Sequence, residues 1–223
     1  VDRSNFYGSA ADFDHVIADM VTLRVEHDFT EHVTLTNTSR YGVSTQDYEL
    51  TGVNALGFPA ATKTDPATWT VSRSRQGKDQ KNQILINQTN LQAMFNLGGL
   101  QHTLASGIEF SYESQLNYSK GLATGTTQIA ANLYQPSTAD VFAPLELTGA
   151  KSEGSTETAA IYALDTIDLN DHWQLSAGIR AEHYNTTTDN ITIQGTATPQ
   201  TVPVGTKLGT HEQASDNLLS YKI

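Results

Sequence analysis

The chain has no cysteine among its 223 residues. That absence excludes a disulfide framework, a thiolate metal centre and a cysteine nucleophile together. It also lacks any apolar run near the roughly 18 residues a membrane helix requires. Helical spans are thereby excluded, whereas strand spans are untouched, because a membrane strand is only half apolar. No charged-then-apolar leader opens the sequence, so the expectation is either a cytoplasmic protein or a leader outside these residues. Positive charge is scarce: 13 Lys and Arg against 24 Asp and Glu give a formal net charge of -11. A nucleic-acid binder needs a larger basic footprint, and electrostatic anchoring to an anionic lipid surface is equally unsupported. Hydrophobic content is 38%, below the roughly 45–50% usual for soluble domains counted with glycine. G-x-S-x-G, H-E-x-x-H and a phosphate-cradling glycine loop are all missing, and no enzyme is expected. The N-x-S/T sequons, such as Asn37-Thr38-Ser39, are what chance gives in a chain this rich in Asn, Ser and Thr.

What is present is alternation. Residues 102–112 place Leu104, Ile108, Phe110 and Tyr112 on one parity, with Thr103, Gly107, Glu109 and Ser111 on the other. Residues 173–183 set Trp173, Leu175, Ile179 and Ala181 against Gln174, Ser176, Arg180 and Glu182, and residues 17–29 repeat the pattern. A pleated strand sends successive side chains to opposite faces, so each stretch has one apolar and one polar face. The stretch 83–95 alternates less cleanly, and a bulge is expected there. Convincing helical periodicity is found nowhere.

The connections are of two kinds. Short turns are predicted at 28–32, 96–101 and 169–173, about 70 residues apart. Long connections rich in Gly, Thr, Ala and Pro are predicted at 51–72, 121–153 and 185–213. Sandwich strands usually run about 5–6 residues, whereas these run a dozen or more. Long alternating strands with short turns at one end and long loops at the other describe an antiparallel transmembrane β-barrel segment. Phe29, Phe95 and Trp173 beside the short turns, with Tyr41 and Tyr112 further along their strands, match the two aromatic girdles of such a barrel. Parity puts Arg24, Arg40, Glu109, Arg180 and Glu182 on the face away from the apolar one, as candidates to line the lumen or meet a plug.

The stretches "TLRVEHDFTEHVTLTNTSRYG" (22–42), "NQTNL" (87–91) and "AGIRAEHY" (177–184) resemble the barrel of TonB-dependent siderophore receptors, within them the catecholate-type ferric-siderophore branch. The R-x-E-H strand, short turn and L-x-N-x-x-R-Y-G are the more specific part. The resemblance implies an all-β barrel of 22 strands with its lumen occluded by a plug, in a Gram-negative outer membrane. These residues would supply about six strands and the start of a seventh. Neither plug nor TonB-box is seen in them, and "LLSYKI" stops partway down a strand, so one sector of a longer chain is expected. The implied partners are a ferric siderophore, the TonB–ExbB–ExbD energy-coupling complex and outer-membrane lipid or lipopolysaccharide, with no nucleic acid. No protein-bound cofactor or metal is implied, since iron would travel inside its chelator.

Site expectations centre on "RSRQGKDQK" (73–81), which packs four of the 13 basic residues into nine positions at the mouth of a strand. Ferric catecholates are anionic, so Arg73, Arg75, Lys78 and Lys81 are candidate ligand contacts on the inner lip of an extracellular vestibule. The plainer alternative is pairing with lipopolysaccharide phosphates or with loop carboxylates such as Asp79. Loop aromatics, among them Phe6, Tyr7, Trp69, Tyr134 and Phe142, could stack on catechol rings or simply pack on their own loops. Residues His27, Asp28, Glu31 and His32 have metal-ligating chemistry, but they fall in a turn that needs polar residues anyway, and no metal site is expected. Two other functions remain open: a passive porin-like channel, and a soluble β-rich binding domain. The alternating apolar face counts against the second.

Overall fold

The computed structural model describes residues 1–123, 125–126, 128–140, 142–195 and 202–223. Parts of the connections expected at 121–153 and 185–213 lie outside these. Seven long strands form one antiparallel sheet: β1 (Phe13–Thr30), β2 (Val33–Gly57), β3 (Thr70–Leu97), β4 (Leu100–Leu122), β6 (Leu145–Asn170), β7 (Trp173–Ile193) and β8 (Lys207–Lys222). They lie in chain order, and the two-residue β5 (Ala131–Asn132) pairs with the start of β3. Two single 3₁₀ turns, Ala60–Thr62 and Pro66–Thr68, sit in the β2–β3 connection.

The three short turns fall where the sequence puts them. Gly98 and Gly99 both take positive φ, 63° and 82°, as a two-residue hairpin turn of the primed type demands. The β6–β7 turn instead uses the Asn170 side chain, whose Oδ1 accepts from the N–H groups of His172 and Trp173 at 3.0 and 3.1 Å.

The long connections are shorter than expected, because the strands run past the apolar band. A tilted membrane strand needs about 9–11 residues, yet β2, β3 and β6 have 25, 28 and 26. Beyond the band one face is no longer apolar, so the period-2 hydropathy signal ends while the hydrogen-bond ladder continues. The stretch 73–81 is accordingly strand throughout, not a strand with an entering loop. The bulge expected in 83–95 is absent: β3 keeps unbroken register with β2 and β4 across those residues. Its weak alternation comes from amides and hydroxyls on the apolar face. Asn37, Ser39, Asn87 and Thr89 bond one another there, with Asn37 Nδ2 donating to Thr89 Oγ1 at 2.8 Å and Asn87 Nδ2 to Ser39 Oγ at 2.7 Å.

The two faces are distinct along the register. One row reads Val25, Asn37, Thr89, Ile108, Ile161 and Ala181 across the sheet, and the next reads Arg24, Thr38, Gln88, Glu109, Ala160 and Glu182. Along β7 the apolar-face residues Leu175, Ala177, Ile179, Ala181 and His183 are exposed, and the polar-face residues between them are half-buried. Tyr41, Leu85 and Tyr112 share one row near the top of the apolar band. Buried Val71, Ala131, Leu133 and Leu145 gather at the long-connection end, where connections pack on extended strands.

Candidate functional site

The basic run lies at that end, and its two arginines are buried in separate ion pairs beside one aromatic ring. Arg73 and Arg75 are spaced by two, so both leave β3 on the same face. The Arg73 guanidinium donates to the carbonyls of Ile129 (2.9 Å) and Tyr7 (3.2 Å) and to the Asp140 carboxylate. Arg75 pairs with Asp12 and with Glu49, the latter at 3.0 Å. Lys120 joins the same set through Asp47 and Glu49. The Phe142 ring lies against both guanidiniums, with centroid distances of 4.6 and 5.4 Å. The Asp12 carboxyl sits below its ordinary range: burial favours the neutral acid, but hydrogen bonds from the Ser9 N–H, Thr51 and Arg75 outweigh it.

Side-chain exposures of 0% for Arg73 and 3% for Arg75 leave no open face for an external anion. The reading of these two as ligand contacts is therefore corrected, in favour of the alternative that they pair with carboxylates. The carboxylates are Asp140, Asp12 and Glu49, not Asp79. The cluster fastens residues 7–12, 129–140 and 142–145 onto β2 and β3. A parity signal was available: positions 73 and 75 share the odd parity of Leu85 and Leu91 on the apolar face. Only Lys78 has the parity of the polar face, opposite Tyr48 and Ser119. Lys81 is exposed, on the same side as Leu85. The distant partners Asp12, Asp140 and Lys120 had no sequence signal at all, because tertiary contact alone brings them in.

The aromatics expected in loops pack on their own surroundings. Trp69 meets Phe58 edge-on at 4.9 Å, lies 6.5 Å from Tyr134, and donates its indole N–H to the Lys63 carbonyl. Tyr7 donates to the Leu133 carbonyl at 2.6 Å. Phe6 is 55% exposed.

On the polar face, the expected residues fall into two groups. Arg180 bridges Glu109 (3.0 Å) and Glu182 (2.8 Å), and its guanidinium lies 5.8 Å from the Tyr162 ring centre. The Tyr162 hydroxyl accepts from Gln88 at 2.9 Å and donates to Asn90. Gly107 makes room for it, since a Cβ there would stand 2.7 Å from that hydroxyl and 2.5 Å from the Thr89 carbonyl. Arg24 pairs with Glu26, and Arg40 donates to Thr22 at 3.3 Å. The two groups do not touch. His27, Asp28, Glu31 and His32 do not converge: His27 packs edge-on to Phe29, Asp28 accepts from Thr34, and Glu31 lies 3.5 Å from His32. A pair that sequence reasoning missed is His102–Asp165, 2.6 Å apart on the apolar face, with the Phe95 ring stacked on the imidazole.

Residues 1–219 match the family model described as TonB dependent receptor-like, beta-barrel. The chain belongs to the TonB-dependent receptor β-barrel family. It is 37% identical, over its full length, to the catecholate siderophore receptor Fiu of Escherichia coli O6:H1 (strain CFT073). It is 26% identical to the probable TonB-dependent receptor BfrD of Bordetella pertussis. Among solved structures, the open form of the ferric-catecholate import receptor Fiu from E. coli K12 superposes with a TM-score of 0.89 at 35% identity, covering 99% of this chain and 34% of that one. PiuA from Acinetobacter baumannii shares the fold, with a TM-score of 0.77 at 19% identity over 99% of this chain and 31% of its own. The chain spans 30% of the length of the Fiu and BfrD sequences it matches. As a sector of a TonB-dependent receptor barrel, the sheet turns its exposed apolar face to lipid and its half-buried polar face inward.

Proposed function

We propose that these residues are one sector of an outer-membrane receptor that imports ferric siderophores of the catecholate type. The observation that carries this reading is the likeness, at 37% identity across all of this chain and 30% of the relative, to a catecholate siderophore receptor. The rest of the protein closes a barrel of 22 strands around a plug, and TonB with ExbB and ExbD supplies the energy. Iron passes through inside its chelator, with no resident cofactor. Of the basic run, Lys78 is the residue we assign to the ligand path, because its register position is on the polar face. Arg73 and Arg75 act one step back, holding the segments that frame the vestibule. Lys81, on the lipid-facing side above the apolar band, is placed to meet lipopolysaccharide phosphates.

The test is iron uptake by the full-length receptor in cells stripped of their own catecholate receptors. Uptake of a ferric catecholate that requires an intact TonB supports the proposal. Uptake that persists without TonB points to a passive channel, and no uptake of any ferric chelate sinks it.

A further inference from the structure

The polar face carries a depression of about 740 Å³ whose lining includes Met20, Gly42, Ile84, Glu113, Gln115 and Gly154. Two absent side chains shape it. Gly42 stands between Met20 and Ile84 on neighbouring strands, and a Cβ there would lie 3.2 Å from the Ile84 side chain. Gly154 lies opposite Gln115 and opens the other side. Glu113 is about thirteen residues along β4 from the short turn, roughly 30 Å along the barrel axis for strands tilted about 45°. That is the outer boundary of the hydrocarbon layer, at the foot of the proposed vestibule.

The electrostatics are the reverse of what an anionic iron centre needs. The lining holds two carboxylates, Asp19 and Glu113, and no Lys, Arg or His among the described residues. Glu113 and Gln115 are both exposed. Neither the Glu113 carboxylate nor the Gln115 side-chain carbonyl meets a cation or a hydrogen-bond donor among the described residues. The neighbouring amides spend their N–H groups inside the wall, Gln115 on Asn82 at 3.0 Å and Asn82 on Ser44 at 3.2 Å. Arg40, one row lower, turns to Thr22 on β1. Lys78 stands on the same face six residues along β3 from Ile84, about 20 Å further out. Free acceptors with no cation beside them hold O–H and N–H donors and repel anions.

We infer that this depression is a second subsite of the ligand path, for the non-chelating arms of the siderophore. Hydroxyl or amide donors on those arms bond to Glu113 and Gln115, and the arm carbons pack on Met20 and Ile84. The anionic iron centre stays further out, toward Lys78. The inference rests on the reading of the chain as part of a ferric-catecholate receptor. It makes Glu113 a specificity residue, selecting chelates by what their arms carry and not by how they bind iron.

The test is equilibrium dialysis of the full-length receptor with radiolabelled iron and an excess of one of two chelators. These are 4-(2-hydroxyethyl)catechol and 4-propylcatechol, whose ferric complexes match in charge and nearly in size but differ by one hydroxyl per arm. Wild type should bind the hydroxyethyl complex about fivefold tighter, the worth of one hydrogen bond. Glu113→Leu with Gln115→Leu should bring that ratio close to one. Gly154→Leu, which fills the depression and leaves both acceptors in place, should do the same. Lys78→Ala should weaken both complexes and keep the ratio. A wild-type ratio of one, as expected if the plug fills the depression, overturns the inference, and so does a preference that survives the double variant. Failure to bind either complex defeats the receptor reading itself, and this inference with it.

Discussion

Arg73 and Arg75 illustrate how charge in a sequence differs from charge available to a ligand. The Arg73 guanidinium is enclosed by one carboxylate and two carbonyls, that of Arg75 by two carboxylates and the Thr51 hydroxyl, and removing one partner of such a buried pair leaves the other uncompensated, at about 3–5 kcal/mol. Arg75→Met should therefore strand Asp12 and Glu49 and free the segments they hold, while the strands below keep their register. Limited proteolysis of the full receptor would show this as new cleavage within residues 7–12 or 128–140, and wild-type resistance in the variant would refute it. Lys78→Glu should behave in the opposite way, leaving proteolysis unchanged and weakening ferric-catecholate binding by about tenfold or more, as a charge reversal on the ligand path would. The same cluster has a pH signature. Because Asp12 is held below its ordinary carboxylate range when folded, its contribution is present above the unfolded value near 3.9 and is lost as pH falls through the folded one. Cleavage within residues 7–12 should then rise below about pH 4 in the wild type, and the Asp12→Asn variant should show no such rise.

At the scale of elements, the strands owe their legibility to the membrane. Where one face meets lipid, residues such as Leu175, Ile179 and Phe110 must alternate with Ser176, Arg180 and Ser111, so β1, β4 and β7 could be read directly. Past the band that constraint lapses, so residues 51–57 of β2, 70–72 of β3, 145–153 of β6 and 185–193 of β7 looked like loops although their ladders continue. The polar-face residues Arg180, Glu109 and Glu182 were placed by parity alone, whereas their convergence on one guanidinium needed the register between strands. Within β3, Asn87 and Thr89 obscured the pattern because their mutual bonds with Asn37 and Ser39 let polar groups stand on the apolar face. Asn37→Leu together with Asn87→Leu should thus cost less than the single change, since both amides go at once and the hydroxyls left at Ser39 and Thr89 are free to rotate to other partners. Asn87→Leu alone should cost about 1 kcal/mol, because it takes the amide partner from Asn37, which keeps its bond to Thr89, and the donor from Ser39. Urea unfolding of the receptor from lipid vesicles would measure both, and a double variant weaker than the single would disprove the account.

The whole sheet cannot be its own endpoint. Its apolar side exposes Leu23, Phe110, Ile161, Ile179 and Leu219, far more contiguous apolar surface than a water-soluble monomer tolerates. Among the described residues, strands β1 and β8 each pair on one side only, leaving two rows of backbone donors and acceptors, of 18 and 16 residues, open to association. In the closed barrel we propose, both edges are paired and lipid covers the apolar side, so stability would come from strands outside these residues together with the membrane. Residues 1–223 produced alone should consequently aggregate in water or require detergent, and should show no shift in gel mobility on boiling. The full-length receptor should run faster unboiled than boiled, as a closed barrel that resists detergent. A soluble, monodisperse 24.2 kDa domain would mean that some other layer covers the apolar side, and the same experiment would then favour a water-soluble binding module over a membrane receptor.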